Sequence, residues 1–201
     1  MRRPGGRHAR AGFLLAAMAA LASASGAWAG DPIAAGLKDV GVGGALSISH
    51  GTRDGFDTVT GLQLMPHVGY VVTDAAGPGW LRGNLQVLLE PTLMHLDSEV
   101  GASTVVGLSA LARWIFAGRG RVRPYVEAGP GVLLGETTLQ QTDCDVNFLL
   151  QGGPGVLVVL SESTTLTIAY RFQHISNAAL CAFNPGINSS AVYLGVNYLF
   201  R

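Results

Sequence analysis

Charge is scarce in this chain, and long apolar runs are scarcer. Charged side chains make up 13% of the 201 residues. Beyond residue 29 no apolar stretch nears the roughly 18 residues of a membrane-spanning helix; such runs are short, as around Val156 to Leu160. That excludes a helical membrane protein. Lys38 is the sole lysine and no basic stripe exists, which excludes the electrostatic footprint of a nucleic-acid partner. Cysteines number two, Cys144 and Cys181. In an exported chain such a pair reads as a disulfide, with two free thiols as the other reading.

What is present begins with an export signal. Arg2, Arg3, Arg7 and Arg10 form a basic segment, Ala11 to Ala22 an apolar one, and Ala27-Trp28-Ala29 a small-residue cleavage site. Residues 1–29 are therefore expected to leave as a signal peptide, with 30–201 as a single domain of 201 − 29 = 172 residues. Four of the thirteen basic residues go with the signal and no acids do. The mature net charge is 9 − 13 = −4. A hydrophobic content of 48% without a long run leaves two architectures, a soluble β-rich core or a membrane β-barrel.

Eight strand-like segments are expected at about 41–50, 61–73, 80–93, 103–116, 122–135, 147–160, 164–176 and 189–200. Leu166, Ile168, Tyr170 and Phe172 alternate with Thr165, Thr167, Ala169, Arg171 and Gln173. Val192, Leu194, Val196, Tyr198 and Phe200 form a second such stripe, and Val106, Leu108, Ala110, Ala112, Trp114 and Phe116 a third. Arg82, Glu90, Arg113, Arg123, Glu127 and Arg171 all fall on the less apolar face. A soluble sandwich puts these charges in water, whereas a membrane barrel pairs them in its lumen. Connections expected to be short (the second, fourth and sixth) alternate with longer ones at about 51–60, 94–102, 136–146 and 177–188. Short turns on one rim and long loops on the other favour an all-β, eight-stranded antiparallel transmembrane barrel of the bacterial outer membrane. Trp80, Trp114, Tyr170, Tyr198 and Phe200 sit near strand ends, as interfacial aromatics do. Cys144 and Cys181 both fall on the long-loop rim. An interior of eight strands is filled by side chains, so a pore is not expected.

The last hairpin carries the chemistry. His174 and Ser176 are two apart on a strand and share a face, the face that continues Leu166 to Phe172. A nucleophile and base turned toward lipid suit an ester whose acyl chains already lie in the bilayer. Over His174 to Asn188 (HISNAALCAFNPGIN), and more loosely over Pro124 to Gly129, the chain resembles the lipid A 3-O-deacylases of the PagL type. The resemblance implies an eight-stranded outer-membrane barrel and lipid A of lipopolysaccharide as substrate. It also implies a Ser-His-Glu triad on the lipid-facing wall near the extracellular rim. Ser176 corresponds to the serine, His174 to the histidine, and Asn184 to the oxyanion-hole asparagine, with backbone N–H groups near Ala178 and Ala179 assisting. Ser176-Asn177-Ala178 and Gly186 also match.

Position 188 departs from the pattern, because Asn188 stands where the family has its glutamate. An amide oxygen can orient an imidazole but cannot offset imidazolium charge. Asp143, Asp145, Glu136, Asp97 and Glu99 lie in other outer loops as stand-in acids. The chemistry implied is nucleophilic acyl transfer, which calls for no cofactor and no metal. His95 and Asp97, two apart, form at most a weak metal pair. The alternative is a non-catalytic small outer-membrane barrel, either structural or adhesive or a family member that has lost activity.

Overall fold

The computed structural model describes residues 33–50, 56–137, 139–142 and 144–201. The segment read as a signal peptide lies outside them, as does Asp143. The strands are β1 (Lys38–Ser49), β2 (Thr60–Val71), β3 (Gly83–Ser98), β4 (Gly101–Phe116), β5 (Val122–Leu134), β6 (Val146–Val159), β7 (Thr164–Ser176) and β8 (Ile187–Phe200). Each pairs antiparallel with the next, and β1 pairs with β8, so the sheet closes into a barrel and leaves no edge unpaired. No helix among the described residues is long and apolar enough to cross a membrane.

Period-two alternation sets which way each side chain points. In β2 inward and outward positions alternate without a break, and β7 and β8 behave alike. The outward face is the apolar one: Leu46, Leu62, Val68, Leu89, Val106, Leu150, Ile168, Val192 and Leu194 are all exposed. A continuous apolar belt of this kind would aggregate in water. It is the expected outer wall of a barrel that spans lipid.

Two expected features differ in the structure. The third connection is a turn at 99–100 rather than a loop over 94–102, because β3 and β4 run on past the expected ends. Met94 and Leu96 still point inward while His95 and Asp97 point outward, and Met94 pairs with Val105. The second connection, expected to be short, spans 72–82 and contains a 3-10 helix at Gly79–Leu81. Trp80, Leu81 and Arg82 belong to that turn, not to β3. Arg82 is exposed and closes the 3-10 helix through its N–H to the Gly79 carbonyl, so it is not a lumen charge. Trp80 is 82% exposed beside it. The rims are therefore less regular than simple short-and-long alternation.

The lumen is filled in layers. A polar middle layer is one hydrogen-bonded chain. Arg171 holds both Glu90 oxygens (Nη1 to Oε1 2.7 Å, Nη2 to Oε2 3.0 Å) and Glu127 Oε1 through Nε at 2.8 Å. Arg113 holds Glu127 Oε2 at 2.9 Å and donates to Gln86, which in turn donates to Asp39. Asp39 also contacts His67 at 3.0 Å. Gln151 donates to Glu90, and Gln173 links Gln151 to Gln63. The two guanidinium groups lie over aromatic rings, Arg113 on Tyr125 and Arg171 on Tyr193, each 4.4 Å from the centroid. Gly195 leaves room for Tyr193, since a Cβ there would stand 2.6 Å from the phenol oxygen. Arg123, also buried, donates to the Gly120 carbonyl near the turn.

An apolar cluster closes each end of this layer. One gathers Leu37, Val71, Ile115, Leu157 and Leu199, the other Met94, Leu96, Leu133, Leu149, Ile175 and Ile187. The second cluster lies directly behind the last hairpin and braces it.

Candidate active site

His174, Ser176 and Asn188 occupy the outward positions of a β7–β8 ladder whose inward positions, Ile175 and Ile187, pair with each other inside the apolar cluster. All three outward residues are half-buried. His174 lies directly opposite Asn188 on β8 and opposite Leu150 on β6, and Ser176 opposite Phe148. Phe172, one outward position below His174, pairs with Ser190, which hydrogen-bonds the Tyr170 hydroxyl at 2.9 Å. The wall around the histidine is therefore Phe148, Leu150 and Phe172, all exposed, with the Ser190–Tyr170 hydroxyl pair below it.

The imidazole has one described partner: Nδ1 lies 2.7 Å from Asn188 Oδ1. A carbonyl oxygen only accepts, so this contact places the proton on Nδ1 and leaves Nε2 with its lone pair. No carboxylate reaches His174 among the described residues. Asp97, Glu99, Glu136 and Asp145 all lie elsewhere, so Asn188 itself holds the ring. His95 and Asp97, at most a weak metal pair by sequence, lie at outward positions of β3 rather than in a loop. His95 Nδ1 hydrogen-bonds Thr104 Oγ1 at 2.8 Å, and no cluster suited to a metal occurs among the described residues.

The connection at 177–186 is organised by Asn177, a fully buried residue that the sequence offered only as part of a matching run. Its N–H donates to Asn184 Oδ1 (2.9 Å), its Nδ2 to the Phe183 carbonyl (2.9 Å), and its Oδ1 accepts the Ala179 N–H (2.9 Å). Its own carbonyl accepts the Leu180 N–H at 2.9 Å. These bonds hold Ala178 and Ala179 at φ 50° and 64°, a left-handed conformation that non-glycine residues adopt at a cost. The Ala179 N–H is thereby occupied and is withdrawn from the expected oxyanion donors; the Ala178 N–H has no described acceptor. With its oxygen engaged by Asn177, Asn184 retains its Nδ2 as a donor.

Two further residues frame the histidine. His50, following β1, donates its N–H to the Asn188 carbonyl at 2.8 Å and sets its ring 5.8 Å from that of Phe172. Its position after an unremarkable strand gave no signal of this. Gly186 has φ 75°, and a Cβ there would lie 3.1 Å from His174 Cε1. In a Gly186→Ala variant the backbone alone costs about 1–2 kcal/mol and the ring is displaced. Its His174 ring resonances are expected to shift while the barrel remains folded; unchanged resonances would contradict this packing.

The expected disulfide is present, joining Cys144 of the β5–β6 connection to Cys181 of the β7–β8 connection with Cα atoms 5.7 Å apart.

The sequence model of the lipid A 3-O-deacylase (PagL) family matches residues 66–197, a span that takes in His174, Ser176, Asn184 and Asn188. Among solved structures the chain is similar to the outer membrane enzyme PagL, at 19% identity, 77% of this chain and 97% of that one, with a TM-score of 0.60. It is also similar to Neisserial surface protein A, at 16% identity, 81% of this chain and 98% of that one, TM-score 0.57. A third is the attachment invasion locus protein Ail of Yersinia pestis, at 15% identity, 83% of this chain and 99% of that one, TM-score 0.51. At these identities the structural likeness establishes the fold. No curated protein sequence matches the chain.

Proposed function

The chain belongs to the lipid A 3-O-deacylase (PagL) family, and from that membership we propose that it hydrolyses the ester-linked acyl chain at position 3 of lipid A. Residues 1–29 are its export signal, and it works from the outer membrane with Ser176 and His174 facing lipid near the extracellular rim. The observation that carries this reading is the 2.7 Å contact between His174 Nδ1 and Asn188 Oδ1, on an outward face bordered by Phe148, Leu150 and Phe172. A water-soluble substrate has no use for a base in that position. An acyl chain already packed in the bilayer lies against those side chains with its ester at their upper edge.

In the reaction His174 Nε2 takes the Ser176 proton as Oγ attacks the ester carbonyl. The oxyanion is held by Asn184 Nδ2 and the Ala178 N–H. Collapse expels the sugar 3-oxygen, which leaves as a hydroxyl with the proton returned by His174. Water, deprotonated by the same nitrogen, then attacks the acyl-serine, and that proton passes to the departing serine oxygen as the fatty acid is released. Asn188 keeps the ring in the base-competent tautomer. Acid-to-amide replacement in serine proteases is damaging because the wrong tautomer results. Here the amide oxygen faces Nδ1, so what is missing is only the charge opposite the imidazolium.

A specific pair of outcomes follows at position 188. Asn188→Ala removes the orienting bond and lowers kcat roughly fivefold to tenfold, the worth of about 1–1.4 kcal/mol for one neutral hydrogen bond. Asn188→Glu makes that bond charge-assisted and raises kcat by roughly tenfold, since bonds to charged groups are worth about 1–1.5 kcal/mol more. Both are read as fatty-acid release from lipid A in mixed micelles. The asparagine also favours a second reading, a non-catalytic barrel; the absence of release by the folded wild-type chain would support that reading and contradict ours.

A further inference from the structure

The connection at 177–186 is hydrogen-bonded at its two ends and exposed at its tip. Asn177 and Asn184 bond to each other, but between them Leu180 and Phe183 are exposed. The strained pair Ala178–Ala179 precedes this tip, and such backbone persists only where its surroundings over-determine it. Two attachments to other connections are described at the tip. Phe183 makes a tilted ring contact with Phe56 of the β1–β2 connection, the centroids 6.0 Å apart, and Cys181 is bonded to Cys144.

Cys144 is a fixed post. It is buried; its carbonyl accepts bonds from Thr137 Oγ1 (3.0 Å) and Asn147 Nδ2 (2.7 Å), and Asn147 also binds Thr142 Oγ1 at 2.8 Å. Leu139 of the same connection reaches into the apolar cluster behind the hairpin. Gln141, also buried, donates to the Asp57 carbonyl at 2.9 Å and so ties in the β1–β2 connection. Closure of the barrel does not depend on this bridge, because every strand is already paired on both sides.

We propose that the Cys144–Cys181 disulfide is a positioning element for catalysis, fixing the tip of the 177–186 connection so that Asn184 and the Ala178 N–H stay set beside Ser176. The proposal rests on the deacylase reading for its kinetic consequence and on the fold alone for its structural one. Without the bridge the tip relaxes from the left-handed turn, the oxyanion donors lose their aim, and the barrel stays closed.

The test compares the oxidised full-length chain in lipid bilayers with its Cys144→Ser/Cys181→Ser variant. It also uses wild type reduced by dithiothreitol, which supplies two electrons and two protons to the disulfide and closes to its own ring. Amide exchange at Asn177, Ala179 and Leu180 is expected to quicken by about tenfold or more, as for a locally opened segment. With it kcat falls by roughly tenfold to a hundredfold, the scale of a misplaced catalytic group, while KM stays within about twofold. Re-oxidation of the reduced wild type restores both. Unchanged exchange overturns the proposal, as does faster exchange with kcat unmoved or a loss expressed in KM alone. If the double variant does not fold, the reduced wild type decides. If oxidised wild type shows no turnover, the deacylase reading has failed and amide exchange alone judges the clamp.

Discussion

Ser176→Ala is expected to reduce acyl release from lipid A by on the order of 10⁴–10⁶-fold, the loss seen when a triad nucleophile is removed. The residue leaves the barrel's own bonding alone: it faces outward, and its inward neighbours Ile175 and Asn177 carry the local packing and the loop. Its hydroxyl is two residues from a histidine whose Nδ1 is already committed to Asn188. Removing the hydroxyl therefore leaves the proposed base, oxyanion donors and acyl-binding wall in place with nothing to acylate. Fatty-acid release, measured on equal amounts of folded protein, checks this. A Ser176→Ala variant within about tenfold of wild type would mean that another group, or water directly, performs the attack.

Glu127→Ala is expected to be the most damaging single change to stability, by about 3–5 kcal/mol. The side chain is buried and accepts from both Arg113 (2.9 Å) and Arg171 (2.8 Å). Truncation leaves two guanidinium groups facing each other in a lumen from which water is largely displaced by side chains. Arg171 keeps Glu90, but among the described residues Arg113 keeps only the Gln86 side-chain oxygen at 3.3 Å and the Tyr125 ring. Breaking a buried pair by deleting one partner costs far more than the pair contributed, because the remaining charge is unpaired. The urea midpoint of unfolding from lipid or detergent measures the loss. A drop no larger than that of an exposed outward substitution such as Val192→Ala would contradict the bonding described for the lumen.

The strand plan was legible because a barrel wall has two faces of opposite character. Wherever Thr165 to Phe172 or Ala191 to Phe200 alternate, the inward set is the smaller and more polar one, and the structure follows it residue by residue. Legibility failed at the rims. Ser98, Glu99 and Gly101 read as loop chemistry, but they form a tight turn, because the alternation of Met94 and Leu96 with His95 and Asp97 carries the ladder onward. Leu81-Arg82 continued an apparent alternation into β3. Pairing begins only at Gly83, and the residues before it turn outward.

The same distinction holds at the site. His174 and Ser176 share a face because strand geometry requires it, and that much needs no structure. That Asn188 faces His174 depends on the register across a ten-residue connection, 177–186, which alternation does not set. Asn177 was visible only as a turn residue, and its four hydrogen bonds exist because the tip folds back on it. His50 entered through the closing β1–β8 ladder, a contact between opposite ends of the sequence that no local pattern announces.

Mass spectrometry of lipid A from a Gram-negative host producing this chain tests the central claim most directly. Cells with the wild-type chain are expected to lose one ester-linked acyl chain, located at position 3, and cells with Ser176→Ala are not. Unaltered lipid A alongside folded, membrane-inserted wild-type protein would contradict it.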